Sequence, residues 1–121
     1  MEVYNRTKGL RLSADARIAR TFRERLIGLM FSRKRRDVVL ASPRQSVEST
    51  TIHMSFMFYP IDVAWVDDSL LVVDVARRLP PSQIPNPFRL YRPRKPAKYV
   101  VELGAGNLGA TEAGDLIEFR E

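Results

Sequence analysis

The stretch from Thr51 to Val75, TIHMSFMFYPIDVAWVDDSLLVVDV, constrains the fold more than any other part of this chain. Ile61, Val63 and Trp65 alternate with Asp62, Ala64 and Val66. Period-two alternation is the signature of a strand. Asp67-Asp68-Ser69 has turn chemistry, and Leu70 to Val75 is a second apolar run. The pattern predicts a hairpin of two well-buried strands. The same stretch holds the only histidine, His53, and the only tryptophan, Trp65. It therefore reads as core, with a candidate site in its first half.

The remaining segments fit around that hairpin. Glu2 to Tyr4 is β-prone, and Asn5 to Gly9 has turn residues. Leu10, Leu12, Ala14, Ala16 and Ile18 alternate, which predicts one continuous strand returning along the first. The period changes after Ala19. Thr21 and Glu24 form a capping-box pair, and Phe22, Leu26, Ile27, Leu29 and Met30 recur at helical spacing. A main helix is expected over about 22–30. Further strands are expected at Asp37 to Ala41, near Ser49 to Ile52, at Tyr99 to Leu103 and at Leu116 to Phe119. Gly104-Ala105-Gly106 reads as a turn, followed by a short helical turn near 107–111. Residues 80–96 contain six of the eight prolines, a density few interior strands survive. They read as a long surface loop anchored by Phe88, Leu90 and Tyr91. No repeat or linker divides the chain, so one domain over 1–121 is expected.

Composition removes several function classes. With no cysteine, disulfide frameworks, thiolate zinc sites and cysteine nucleophiles are excluded. No apolar run has the ~20 residues of a membrane span, and the first residues lack the apolar core of a signal peptide. The expected compartment is the cytoplasm, without a membrane partner. The net charge of +6 is concentrated in two clusters. One is Arg33, Lys34, Arg35 and Arg36. The other contains Arg92, Arg94, Lys95 and Lys98. Such clusters attract nucleic acid and other polyanions, although their commonest role is a solvated surface.

Four motifs recur in an ordered set: ARTFRERLIGLM (Ala19 to Met30), TIHMSFMFYPIDVAWVD (Thr51 to Asp67), VVELGAG (Val100 to Gly106) and GDLIEF (Gly114 to Phe119). Their order and spacing resemble the domain of unknown function 192 family over nearly the whole chain. The family pattern carries over at Arg25, Gly28, Leu29 and Met30, and at His53, Phe56, Met57, Pro60, Ile61, Asp62 and Asp67. It continues at Pro80, Glu102, Leu103, Ala105, Gly106, Gly114 and Asp115. Two departures stand out. Many relatives have Trp where this chain has His53, and relatives usually carry Gly in the turn after the position of Asp67. The resemblance implies a small β-rich, barrel-like fold with one or two helices, and no activity. Together with the segment pattern, the expected class is α+β: a mostly antiparallel, barrel-like sheet with one main helix.

The candidate chemistry is sparse. His53, Met54 and Met57 are soft potential ligands, but strand alternation would turn Met54 away from the other two. Neither a metal nor a cofactor is therefore expected. Asp62 and Glu102 lie between apolar neighbours, where a carboxylate needs a partner. Asp115 and the helix residue Arg25 could complete a polar cluster, since Arg binds carboxylates bidentately. The structural alternative is a buried ion pair or capping of loop amides. No nucleophile elbow, phosphate loop or dinucleotide fingerprint is present, so no catalytic residue is assigned. The leading expectation is a non-catalytic module binding a small ligand or protein through His53, Met57, Asp62, Glu102, Arg25 and Asp115. The alternatives are nucleic-acid binding through the two basic clusters, and a hydrolase-type enzyme using the same His and carboxylate group.

Overall fold

The computed structural model describes residues 1–21, 36–54, 57–82 and 90–121. The helix expected over 22–30, with Arg25, lies outside these residues, as do Arg33, Lys34, Arg35 and Phe88.

Among the described residues, ten strands form three sheets. β1 (Glu2–Asn5) is the middle of a three-stranded antiparallel sheet, between β2 (Leu10–Ser13) and β10 (Ile117–Arg120). The larger sheet has the order β3-β4-β9-β6-β7, with β3 at Ala16–Ala19, β4 at Asp37–Ser46, β9 at Ala97–Gly104, β6 at Ile61–Val66 and β7 at Val72–Leu79. β3 runs parallel to β4, and the other pairs are antiparallel. A short ribbon joins β5 (Ile52–His53) to β8 (Leu90–Tyr91). The sheets are open and do not close on themselves, so the barrel expectation is corrected. Among the described residues the one helical element is a 3₁₀ turn, Glu48–Thr50. Residues 105–110 are successive hydrogen-bonded turns rather than a helix.

The expected hairpins form. The strand predicted from Leu10 to Ile18 breaks at Ala14–Asp15, however. Its first half pairs with β1, and its second half leaves for the edge of the larger sheet. Alternation continues through the break, so the sequence pattern does not reveal it. β4 runs on through Pro43, which the strand tolerates because the β4–β9 register is interrupted between Ala41 and Ser46. In the Asp67–Leu70 turn, Leu70 takes a φ of 67°, in the left-handed region that favours glycine. Asp67 Oδ1 accepts the N–H groups of Ser69 and Leu71, which fixes the turn around that strained residue.

Both faces of the larger sheet are covered. One face meets the three-stranded sheet, and Val3, Leu12 and Ile117 pack there with Val39, Ala64, Val66, Val101 and Leu103. The other face carries Val38, Leu40, Ile61, Val63, Trp65 and Val100 beneath Ile52, Met54, Met57 and Tyr91. Burial on both sides explains why all six residues of β6 are buried, and why polar side chains are so rare on the central strands. Trp65 Nε1 donates to the Thr50 carbonyl (2.7 Å), which ties the 3₁₀ turn to this second core.

Candidate functional site

The strand register separates the two central carboxylates. Asp62 lies opposite Leu103, and Leu103 belongs to the core shared with the three-stranded sheet. Glu102 lies opposite Val63 on one side and Val38 on the other, both in the second core. Directly opposite residues of an antiparallel pair project to the same face. Asp62 and Glu102 therefore sit on opposite faces of the sheet, and the expected His53–Asp62–Glu102 cluster does not form.

Asp62 is 1% exposed and fully engaged. Oδ1 accepts the Arg78 N–H (3.0 Å), while Oδ2 accepts those of Gly106 (2.9 Å) and Leu108 (3.2 Å). This is capping of loop amides: the carboxylate fills the turn after β9 and holds it to the kink in β7, where Arg78 has a φ of 53°. Asp115 is equally occupied. It accepts Asn5 Nδ2 (2.9 Å), Lys8 Nζ (2.9 Å) and the Glu112 N–H (3.0 Å). Burial pushes its carboxyl up, but Lys8, Asn5 and the Glu112 amide outweigh this and hold it below 3.8. Asn5, itself fully buried, also donates to Thr111 Oγ1 (2.9 Å). The turn chemistry of Asn5 is seen in the bond its Oδ1 accepts from the Lys8 N–H. Its buried link to the C-terminal turn has no local signal.

Glu102 differs from both. It is 6% exposed, and no hydrogen bond or ion pair reaches its carboxyl from the described residues. Burial alone pushes it up to about 7. Its neighbours across the strands are Val38 and Val63, and Trp65 is diagonal to it on the same face. The cover of this face includes Met54 and Met57, both buried. The Met57 N–H donates to the carbonyls of Met54 (3.3 Å) and Ser82 (3.1 Å), and the Ser82 N–H donates to the Met54 carbonyl (3.1 Å). Strand alternation does not separate the two methionines: Met54 shares the second core with Met57 instead of pointing away. His53 follows the buried Ile52 on β5, lies opposite the exposed Leu90, and is only half-buried. It thus projects away from the core that holds Ile52. Tyr91 packs against the second core, whereas Leu90 is exposed.

Of the 33–36 basic cluster, Arg36 alone lies among the described residues. Arg36 precedes β4 at the Gly104 end of β9, while Arg92, Arg94, Lys95 and Lys98 lie at its Ala97 end. Six residues of strand separate these ends, roughly 20 Å. The aromatics that could stack on bases are engaged: Tyr99 meets Phe119 edge-on at 5.3 Å, and Tyr91 packs on the second core. No group of three or more potential metal-ligating His or carboxylate side chains occurs among the described residues.

These features can be set beside known proteins. The family model DUF192, described as an uncharacterized ACR, matches residues 3–119. The chain belongs to the DUF192 family. Its similar relatives include UPF0127 proteins from archaea. That of Pyrococcus furiosus is 33% identical over 117 residues, covering 95% of each chain. That of Thermococcus kodakarensis is 34% identical over 120 residues, covering 97% of this chain and 72% of the relative. Two crystal structures share the fold at 18% identity. A protein from Sinorhizobium meliloti 1021, named a candidate transcription regulator, has a TM-score of 0.81 and covers 97% of this chain and 89% of its own. A protein of unknown function from Novosphingobium aromaticivorans has a TM-score of 0.77 over 98% and 93%. Within the DUF192 motif VVELGAG, the glutamate of this chain is thus the buried Glu102. In PIDVAWVD, the first aspartate is the amide-capping Asp62. No helix of the described residues is long and apolar enough to cross a membrane.

Proposed function

We propose that this DUF192 chain is a non-catalytic binding module, acting as one unit in the cytoplasm, that receives a small ligand at the Glu102 face of its larger sheet. The observation that carries this reading is a carboxyl, 6% exposed, with no partner among the described residues and only apolar neighbours across the strands. A buried acid without a partner is costly and uncommon in a folded core, and such groups concentrate at functional sites. Met54 and Met57 support the reading, because thioether side chains adapt to irregular guests. Asp62 and Asp115 leave the ligand set and serve the scaffold, since backbone and side-chain donors occupy their oxygens.

The hydrolase reading loses its basis with the separation of Asp62 from Glu102. The nucleic-acid reading is weakened by the distance between Arg36 and the 92–98 cluster. A direct test is methyl NMR of Met54 and Met57, together with Trp65 fluorescence, during titration with small aromatic and aliphatic fragments of every charge class. Saturable shifts at both methionines are expected. Saturable binding that leaves both methionines and Trp65 unmoved would refute the site.

A further inference from the structure

The geometry of the Glu102 face points to a class of ligand. We propose that it takes a small amphipathic cation, a primary amine or amidine carried on an apolar body, whose charged head meets the Glu102 carboxylate. This rests on the binding-module reading and deepens it.

A carboxyl in an apolar core is stabilised by a proton, by hydrogen-bond donors or by a counter-charge. Val38 and Val63, its neighbours on the two adjoining strands, can supply none of these. Asp62 has three N–H donors and Asp115 has a lysine, an amide side chain and a backbone N–H. The fold thus satisfies its other buried acids from within. Glu102 stands out as the buried carboxyl whose complement would come from elsewhere. An anionic ligand is disfavoured there by like charge, and a neutral one leaves the carboxylate uncompensated. An ammonium or amidinium head provides both charge and donors, and in a site of low polarity such a pair is far stronger than in water. The rest of the ligand meets Met54, Met57 and Trp65. Thioethers pack well against aromatic rings, so an aromatic body suits this lining.

The test uses benzylamine, benzyl alcohol and benzoate on the full chain at pH 6 and pH 8, read by the Met54 and Met57 methyl signals and Trp65 fluorescence. Benzylamine keeps its charge across this range, whereas Glu102, with its carboxyl near 7, gains charge. Its affinity is expected to rise about tenfold from pH 6 to pH 8, in step with that ionisation, while benzyl alcohol shows no gain. Glu102→Gln keeps the shape and is expected to weaken benzylamine by about tenfold or more at pH 8 and to abolish the pH dependence. The wild-type pH comparison decides the matter even if the variant fails to fold. If benzyl alcohol matches benzylamine at both pH values, or benzoate binds best, the cation inference falls and the binding site stands. If none of the three moves Met54, Met57 or Trp65, the cation inference falls. The binding site falls with it if the wider fragment set is equally silent.

Discussion

Replacing Asp62 with alanine would remove the acceptor of three backbone donors, the part-buried N–H groups of Arg78 and Gly106 and the buried N–H of Leu108. An unsatisfied buried donor costs about 1–3 kcal/mol and a lost part-buried hydrogen bond about 0.5–1.5 kcal/mol, so Asp62→Ala is expected to destabilise the protein by about 3 kcal/mol in urea unfolding. Exchange of the Gly106 and Leu108 amides should accelerate. A loss below about 1 kcal/mol would show that water replaces the carboxylate. Glu102 is expected to behave in the opposite sense. Its carboxyl rises from 4.5 to about 7 on folding because burial disfavours its charge. The folded chain therefore holds a proton that the unfolded chain releases between those values. Stability from this group is complete below about pH 4.5 and is lost as pH rises through about 7, amounting to about 3 kcal/mol. Glu102→Gln should remove that loss, so the variant gains on the wild type between pH 5 and pH 8. Urea denaturation at both values checks it. Both acids were legible in the sequence as carboxylates among apolar neighbours. Their fates were not, because the face each one takes depends on which distant strands pair with β6 and β9.

Asn5 joins β1 to the turn that leads into β10, through Thr111 and Asp115. Asn5→Ala is expected to cost about 3 kcal/mol, since it removes two buried hydrogen bonds, one of them to a carboxylate, and the acceptor of the Lys8 N–H. Amide exchange should rise first in β1, β2 and β10, with the five-stranded sheet retaining its protection. Acid loosens the same link. Asp115 has a carboxyl held below its ordinary 3.8, so its contribution is complete above that value and disappears as pH falls through the folded one. Most strands were readable from period two, and the turns from their Asn, Asp, Ser and Gly. The break at Ala14–Asp15 was not, because it changes the partner of a strand without changing its alternation. The reach of β4 past Pro43 was hidden for a related reason: a proline reads as a stop unless the register interruption beside it is known.

The two covered faces of the five-stranded sheet account for the composition of the molecule's centre. β6 and β9 read as near-continuous apolar runs because neither has a solvent side. The family resemblance supplied the β-rich character, while the layering of three open sheets came from pairings between residues far apart in sequence. Those pairings also order the assembly. β6 and β7 are neighbours in sequence, whereas β4 reaches β9 only across more than fifty residues. Local pairings form sooner than distant ones. In refolding followed by pulsed amide exchange, the β6–β7 amides are expected to gain protection before those linking β4 to β9. Simultaneous protection of all five strands would overturn this order.

The central position of β9 has a further consequence for a chain made one residue at a time. β9 is synthesised after all four of its sheet partners, yet it is the strand that joins them. Until it emerges, β3–β4 and β6–β7 are two half-sheets with apolar faces, and the inner edges of β4 and β6 are open. On the ribosome, this protein passes through a stage in which its most adhesive surfaces are complete and their proper partner does not yet exist.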